Sequence, residues 1–382
     1  MKKKILLGAL ALLLAMSLVV TGCAAPVPPE IAELEKEVAA EKAKVAAEKA
    51  KVAELEKEMA GMVSAPEVFE LKFSTWATRG NFWMDIVYPA FAENIERMSG
   101  GRVTIEVYGA GEVAAAGEVF DALCIGMLDV GIPCPAYYEG VVPTAGLEGN
   151  VPGGLEQIIE VETLFWERGW ADILRDEVYA PFGLHYLGPD LCYGGNYLVS
   201  REPITSLEGI RGLKVRAIPP MSTLLEKLGA SVVYVAWGEV YLALATGTID
   251  AASIGDEGSI RDLKVHEFAP YLMEPRLSPY SNNNYLVNMD AWNGLPEDLQ
   301  HIFTIAARES SKFNAIVGQS EALKAWVEIE AEGAKRTYLP EADIAEMTMM
   351  AMEMLDEVAA KDPINAKLVE ILQEFMRELG YL

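Results

Sequence analysis

Side chains suited to catalysis are sparse in this sequence, and their spacing argues against most catalytic arrangements. His185, His266 and His301 each stand alone, with no His-x-x-x-His pair and no glutamate placed as in a zinc-protease helix. Cys23, Cys124, Cys134 and Cys192 lack the spacing of paired zinc ligands and are too few for a disulfide scaffold. No Gly-x-Ser-x-Gly elbow and no phosphate-cradling Gly-Lys-Ser/Thr loop occurs, and Gly109 to Gly117 carries Ala114 where a dinucleotide-binding turn needs glycine. Among 57 acidic residues no local spacing singles out a catalytic pair. The pattern speaks against an enzyme and gives no reason to expect a cofactor.

Binding chemistry is better represented. Arg216 interrupts the apolar run Leu213-Lys-Val-Arg-Ala-Ile218, on the opposite face from Leu213, Val215 and Ala217. A guanidinium there can grip a carboxylate through two parallel N–H bonds, a geometry lysine cannot match. In a solvent-lined cleft it would be replaceable without loss of the fold; the plain structural reading is a solvated edge residue. Aromatic residues gather where strands should end: Trp76, Tyr137 and Tyr138, Tyr193 and Tyr197, and Trp237 after Tyr234. Open α/β sheets bind ligands at the carboxyl ends of their strands, although aromatic packing in core and loops explains most of these residues one by one.

The elements that must position these side chains alternate strand and helix. Residues 69–76 alternate as a strand, 84–98 show helical spacing, 102–108 form a second strand, 117–125 a helix and 128–132 a third strand. A second unit repeats the order, with strands at 212–218, 231–235 and 249–254 and helices at 221–228 and 238–245. Each unit closes a helix with Gly-x-x-Asp, at Gly126 to Asp129 and at Gly247 to Asp250, where glycine suits a left-handed cap. Such βαβαβ order predicts parallel sheets covered by helices. One more strand, 284–288, precedes long helices that run to the end of the chain.

The first 62 residues are of a different kind. Residues 1–22 combine Lys2, Lys3 and Lys4 with an apolar run too short to span a bilayer, as a secretory signal does. Val20-Thr-Gly-Cys23 looks like a bacterial lipobox, which would make Cys23 a lipidated first residue and place the remainder outside the cytoplasm on a membrane anchor. After a proline-rich break, Ile31, Val38, Val45, Val52 and Met59 recur every seven residues in a stretch free of Gly and Pro. The alternate seam holds Leu34, Glu41, Glu48 and Leu55, which favours a helical spacer of about 45 Å over a homo-oligomeric coiled coil. The net charge of −26 lies entirely in residues 61–382, because the leader contributes +3 and the stalk −3. So acidic a body disfavours nucleic acid and anionic lipid surfaces.

Leu207 to Arg216, Leu228-Gly-Ala230, Trp237 to Leu244, Gly247 to Asp250, Tyr108-Gly-Ala-Gly-Glu112, Gly126 to Asp129 and Asp290 to Pro296 together resemble the solute-binding subunits of TRAP (tripartite ATP-independent periplasmic) transporters, over about residues 67–382. The resemblance implies a two-lobed α/β periplasmic-binding fold with crossing segments and a long connecting helix, preceded here by the helical stalk. It implies lobe I at 66–188 plus 281–325, lobe II at 189–280 plus 326–382, and a tether at 23–65. It further implies an extracytoplasmic protein that captures a small organic carboxylate and delivers it to a sodium-driven membrane permease, with Arg216 on the carboxylate. An importer of the ABC class or an extracytoplasmic enzyme acting on small acids would share some of these features, and oligomerisation through the stalk is a further alternative. The expected ligand shell is Arg216, Trp76, Tyr137, Tyr193, Trp237, Ser253, Asp256 and Asn283. Tyr179 to Gly183 and Cys192 to Gly195 resemble a branch that binds 2-oxo and hydroxy acids with a Ca or Na ion. This chain departs from that branch at Cys192 and at Ser253-Ile254, where oxygen ligands would be needed.

Overall fold

The structure, a computed structural model, describes residues 29–62, 67–149 and 151–382. Cys23 and the leader lie outside them. The chain divides into residues 1–67 and 68–382. In the first unit, helix α1 (Pro29–Met62) runs unbroken for 34 residues, as its composition of helix formers requires. Val38, Val45 and Val52 of the seven-residue series remain exposed along it, as do Leu34 and Leu55. Among the described residues no helix is long and apolar enough to cross a membrane.

The second unit carries the two expected repeats. Strand β1 (Phe69–Thr75), helix α2 (Tyr88–Met98), strand β2 (Val103–Tyr108), helix α3 (Val119–Cys124) and strand β3 (Val130–Ile132) form the first. After the long strand β4 (Leu184–Ser200) come β5 (Lys214–Arg216), α4 (Met221–Lys227), β6 (Ser231–Val233), α5 (Val240–Ala245) and β7 (Ala251–Ile254). In each repeat the first strand lies in the middle, parallel to both others: β1 between β2 and β3, β5 between β6 and β7. Several elements are shorter than their apolar runs, because strand pairing covers three residues of β5 where seven were expected. The helix expected from residue 84 opens as a π-type turn, Trp83–Val87, before α2.

The paired Gly-x-x-Asp motifs have one physical role. Gly126 and Gly247 hold φ of +72° and +69°, and the next N–H reaches back to the helix, from Met127 to the Ala122 carbonyl and from Thr248 to that of Ala243, both at 2.9 Å. This is a left-handed helix cap. The aspartate then accepts from the middle strand: the Lys72 amide donates to Asp129 Oδ2 at 2.8 Å and the Lys214 amide to Asp250 Oδ2 at 2.9 Å. Each motif therefore stops a helix and fixes the start of the next strand beside the central one.

The remaining elements join the repeats: α6 (Glu257–Asp262), β8 (Tyr271–Glu274), β9 (Ser278–Asn288), α7 (Glu297–Ala331), β10 (Lys335–Tyr338), α8 (Glu341–Ala359) and α9 (Pro363–Leu379). Strand order runs β2-β1-β3-β9-β4-β7-β5-β6, so the antiparallel pair β4 and β9 crosses from one repeat to the other. Helix α7, 35 residues long, buries Leu299, Phe303 and Ala306 with Phe73 and Phe91 of the first repeat, and Ile329 with Val240 and Leu244 of the second. The fold is thus the two-lobed α/β architecture with crossing strands and a long connecting helix. The last helix departs from simple sequence order, since Leu368, Leu372 and Phe375 of α9 share a core with Phe120 and Leu123.

Candidate functional site

Arg216 is the last residue of β5, at the carboxyl end of the sheet, and it is 2% exposed. The expectation of a guanidinium in a solvent-lined cleft is corrected: Arg216 ranks among the largest fully buried side chains. Its Nε donates to the Val235 carbonyl at 3.1 Å and its Nη1 to the Ser253 carbonyl at 2.8 Å, so it ties β5 to the segment after β6 and to β7. Nη2 is buried and has no partner. The titratable groups around it are the phenols of Tyr137 and Tyr234 and the thiol of Cys134, with no carboxylate among them, and burial pushes its pKa below the ordinary arginine value. A guanidinium stays charged under such a shift. A buried cation with free N–H groups costs several kcal/mol until an anion meets it.

Strand ends deliver the neighbours. Trp76 follows β1 and is held by the hydrogen bond its backbone N–H donates to the Ile132 carbonyl at 3.2 Å. Tyr137 closes the short turn after β3. Trp237 opens the turn after β6, with its ring 5.8 Å from the Arg216 guanidinium. Ser253 contributes its carbonyl rather than its hydroxyl. Trp76 meets Trp237 edge to face at 6.3 Å, which brings the ends of the two repeats together.

The other expected ligand residues serve different networks. Asn283 donates to Cys192 Sγ at 3.7 Å, next to Asn314, which donates to Asp190 Oδ1 at 2.8 Å and accepts from the Trp83 indole at 3.0 Å. Tyr88 also donates to Asp190, at 3.0 Å. This is the buried joint between β4 and α7. Tyr193 lies against Arg276, 5.4 Å from the guanidinium, and Arg276 pairs with Glu257 at 3.1 Å. Asp256 caps α6, accepting from the Ser259 amide and hydroxyl, both at 2.8 Å. Burial lifts the carboxyls of Asp190 and Asp256 to about 6. Cys134, Trp83 and Tyr234, near the site, carried no motif; their only signal was position after a strand or within an aromatic run.

Burial pushes the Cys134 thiol up to about 11, so it is protonated at neutral pH and a poor nucleophile. A hard cation fits poorly as well: Asp256 is engaged as a cap, the Cys192 thiol is raised by burial beside Asp190, and among the described residues no three His, Cys, Asp or Glu side chains converge. The cysteines Cys124, Cys134 and Cys192 are all free. The site offers one cation, indole rings and unpaired donors.

Residues 73–362 match the family model described as bacterial extracellular solute-binding protein, family 7. A monocarboxylate 2-oxoacid-binding periplasmic protein of Nostoc sp. is 27% identical over 293 residues, 75% of this chain and 79% of that protein. A TRAP periplasmic solute-binding protein of Pseudoalteromonas atlantica, solved with sodium and pyruvate, is 25% identical with a TM-score of 0.74 and covers 82% of this chain and 95% of its own. Its counterpart from Colwellia psychrerythraea, solved with calcium and pyruvate, is 23% identical with a TM-score of 0.76 and covers 82% and 96%. The matched span covers both repeats, the crossing strands and most of the closing helices, and the chain belongs to family 7 of the bacterial extracellular solute-binding proteins.

Proposed function

We propose that the protein captures a small organic carboxylate at Arg216 and passes it to the membrane subunits of a TRAP transporter without chemical change. The observation that carries this reading is the unpaired Nη2 of a buried arginine whose other two nitrogens are already fixed by backbone carbonyls. The group is pre-positioned and lacks only an anion. Relatives that bind pyruvate or 2-oxoacids support the carboxylate class. Two of these relatives hold an ion with pyruvate; here Asp256 Oδ1 is taken up as a helix cap and Cys192 offers a thiol rather than an oxygen, which supports the proposal that binding is metal-independent.

The flanking parts extend the proposal. Lipid on Cys23 would anchor the protein outside the cytoplasm, and α1 would act as a spacer between anchor and body. Lobe I is assigned to 66–188 and 281–325 and lobe II to 189–280 and 326–382, with α9 returning to the first core.

Calorimetric titration with a panel of monocarboxylates tests the reading. Wild-type protein is expected to bind at least one acid at micromolar affinity, unchanged by EDTA, and Arg216→Lys to lose at least about thirtyfold, because a compact ammonium lacks the planar fork that reaches two carbonyls and a carboxylate in fixed directions. Equal affinity in the variant would reject Arg216 as the anchor.

A further inference from the structure

Arg216 accounts for a carboxylate and leaves the rest of the solute open. Aromatic rings run away from it in an unbroken series. Trp237 lies against the guanidinium at 5.8 Å, Trp76 meets Trp237 at 6.3 Å, Trp83 meets Trp76 at 5.2 Å and Phe82 meets Trp83 at 4.5 Å. Core aromatics such as Phe73, Tyr88 and Phe91 are fully covered, whereas Trp76, Phe82 and Trp237 each keep an accessible part. Accessible indoles at the carboxyl ends of strands, contributed by both repeats, form a wall that a solute can cover.

Trp76 adds a second observation. Its Nε1–H is buried and has no partner. The indole of Trp83 donates to Asn314 at 3.0 Å and that of Trp170 to the Leu368 carbonyl at 3.1 Å, so satisfied indoles are the pattern in this interior. Two unpaired donors therefore belong to residues that border the Trp237 ring, one cationic and one neutral. Two further arginines are already paired, Arg276 with Glu257 and Arg79 with Glu112.

We infer that the site selects monocarboxylates with a planar aromatic body and a further acceptor, a carbonyl or hydroxyl oxygen, for the Trp76 N–H. The inference rests on the reading of Arg216 as the carboxylate anchor. A small aliphatic acid leaves the ring wall bare. A dicarboxylate brings a second charge against indoles, which carry no charge to meet it.

The test is calorimetry on the full chain with four probes: phenylpyruvate, phenylacetate, pyruvate and succinate. Phenylpyruvate is expected to bind at least about tenfold tighter than pyruvate, with phenylacetate between them and succinate weakest. Trp76→Phe, which keeps a ring and removes the N–H, should erase the advantage of phenylpyruvate over phenylacetate while leaving phenylacetate within about threefold. Trp237→Ala should weaken both aryl acids by about tenfold or more, with an unchanged melting profile as the control for folding. Tighter binding of pyruvate or succinate than of either aryl acid would overturn the aromatic selection and leave Arg216 standing as anchor. Retained discrimination in Trp76→Phe would overturn the role of its N–H, and binding of none of the four would overturn both this inference and the carboxylate reading beneath it.

Discussion

Arg216 was legible because a charge inside an apolar strand needs a reason, and a residue-by-residue alternation supplies its face. Its depth was not legible. The carbonyls of Val235 and Ser253 that fix it come from segments 19 and 37 residues away, brought near by the parallel pairing of β5 with β6 and β7. That depth changes what substitution should do. Arg216→Ala strands two buried carbonyls and leaves a cavity but also removes a buried unpaired charge, so the opposing effects should leave urea stability within about 2 kcal/mol while binding is lost. Asp256 makes the opposite case. As a cap of α6 it should tolerate Asp256→Asn, because asparagine caps as well, and since the amide removes a buried ionised carboxyl the fold should gain stability at pH 7.5, by up to about 3 kcal/mol, while solute affinity stays the same. A fall in affinity that calcium restores would instead make Asp256 an ion ligand. Tyr193, from its place among the aromatic residues, and Asn283, as part of the expected ligand shell, were both expected beside Arg216; sequence position says where a side chain starts, and the crossing of β4 and β9 turned these two toward Arg276 and Cys192.

Repeats and caps were the elements most open to sequence reading. Gly126 and Gly247 occupy the same left-handed position, and Asp129 and Asp250 hold the same amide of the central strand, so the likeness of the two halves rests on hydrogen bonds. Gly247→Ala meets no atom within 4 Å, so its cost should be backbone strain alone, about 1 kcal/mol. Asp129→Ala and Asp250→Ala should each cost about 1–2 kcal/mol, and similar values from the two would reflect their shared role in the fold. Strand β4 escaped notice for a physical reason. Gly188, Pro189, Gly194 and Gly195 break its alternation, and its pairing with β9 shifts register twice, at Tyr186 and Tyr193, which bends the strand as it passes between halves. At Gly195 a Cβ would lie 1.8 Å from the Ser278 carbonyl oxygen, so a close backbone crossing demands the glycine that hid the strand.

For the whole molecule, acidity and burial act together. Asp190 and Asp256 titrate at about 6 in the fold against an ordinary 3.8. Between those values the folded chain binds protons that the unfolded chain does not, so stability should rise as pH falls from neutrality, by up to about 3 kcal/mol per group. Ion-paired carboxylates such as Glu112, Asp176 and Asp298 lie below their ordinary values and act with the opposite sign in more acid solution. Urea midpoints should therefore be higher near pH 5.5 than near pH 7.5 and fall again near pH 3.5; a midpoint that declines steadily from neutrality would contradict the assignment of these two buried acids. In the stalk, Glu41 and Glu48 interrupt the seam between exposed valines, and wild-type protein is expected to sediment as a monomer at micromolar concentration while Glu41→Leu with Glu48→Leu associates. The acidic body would repel its own ligand at long range, which makes the buried guanidinium of Arg216 decisive. The most direct measurement is a two-by-two calorimetric cycle: wild type and Arg216→Met, each titrated with the tightest-binding acid and with its uncharged amide. A coupling of at least about 2 kcal/mol between guanidinium and carboxylate is the predicted result. An acid and an amide that lose affinity equally on Arg216→Met would show that Arg216 does not hold the carboxylate, and would contradict the account at its centre.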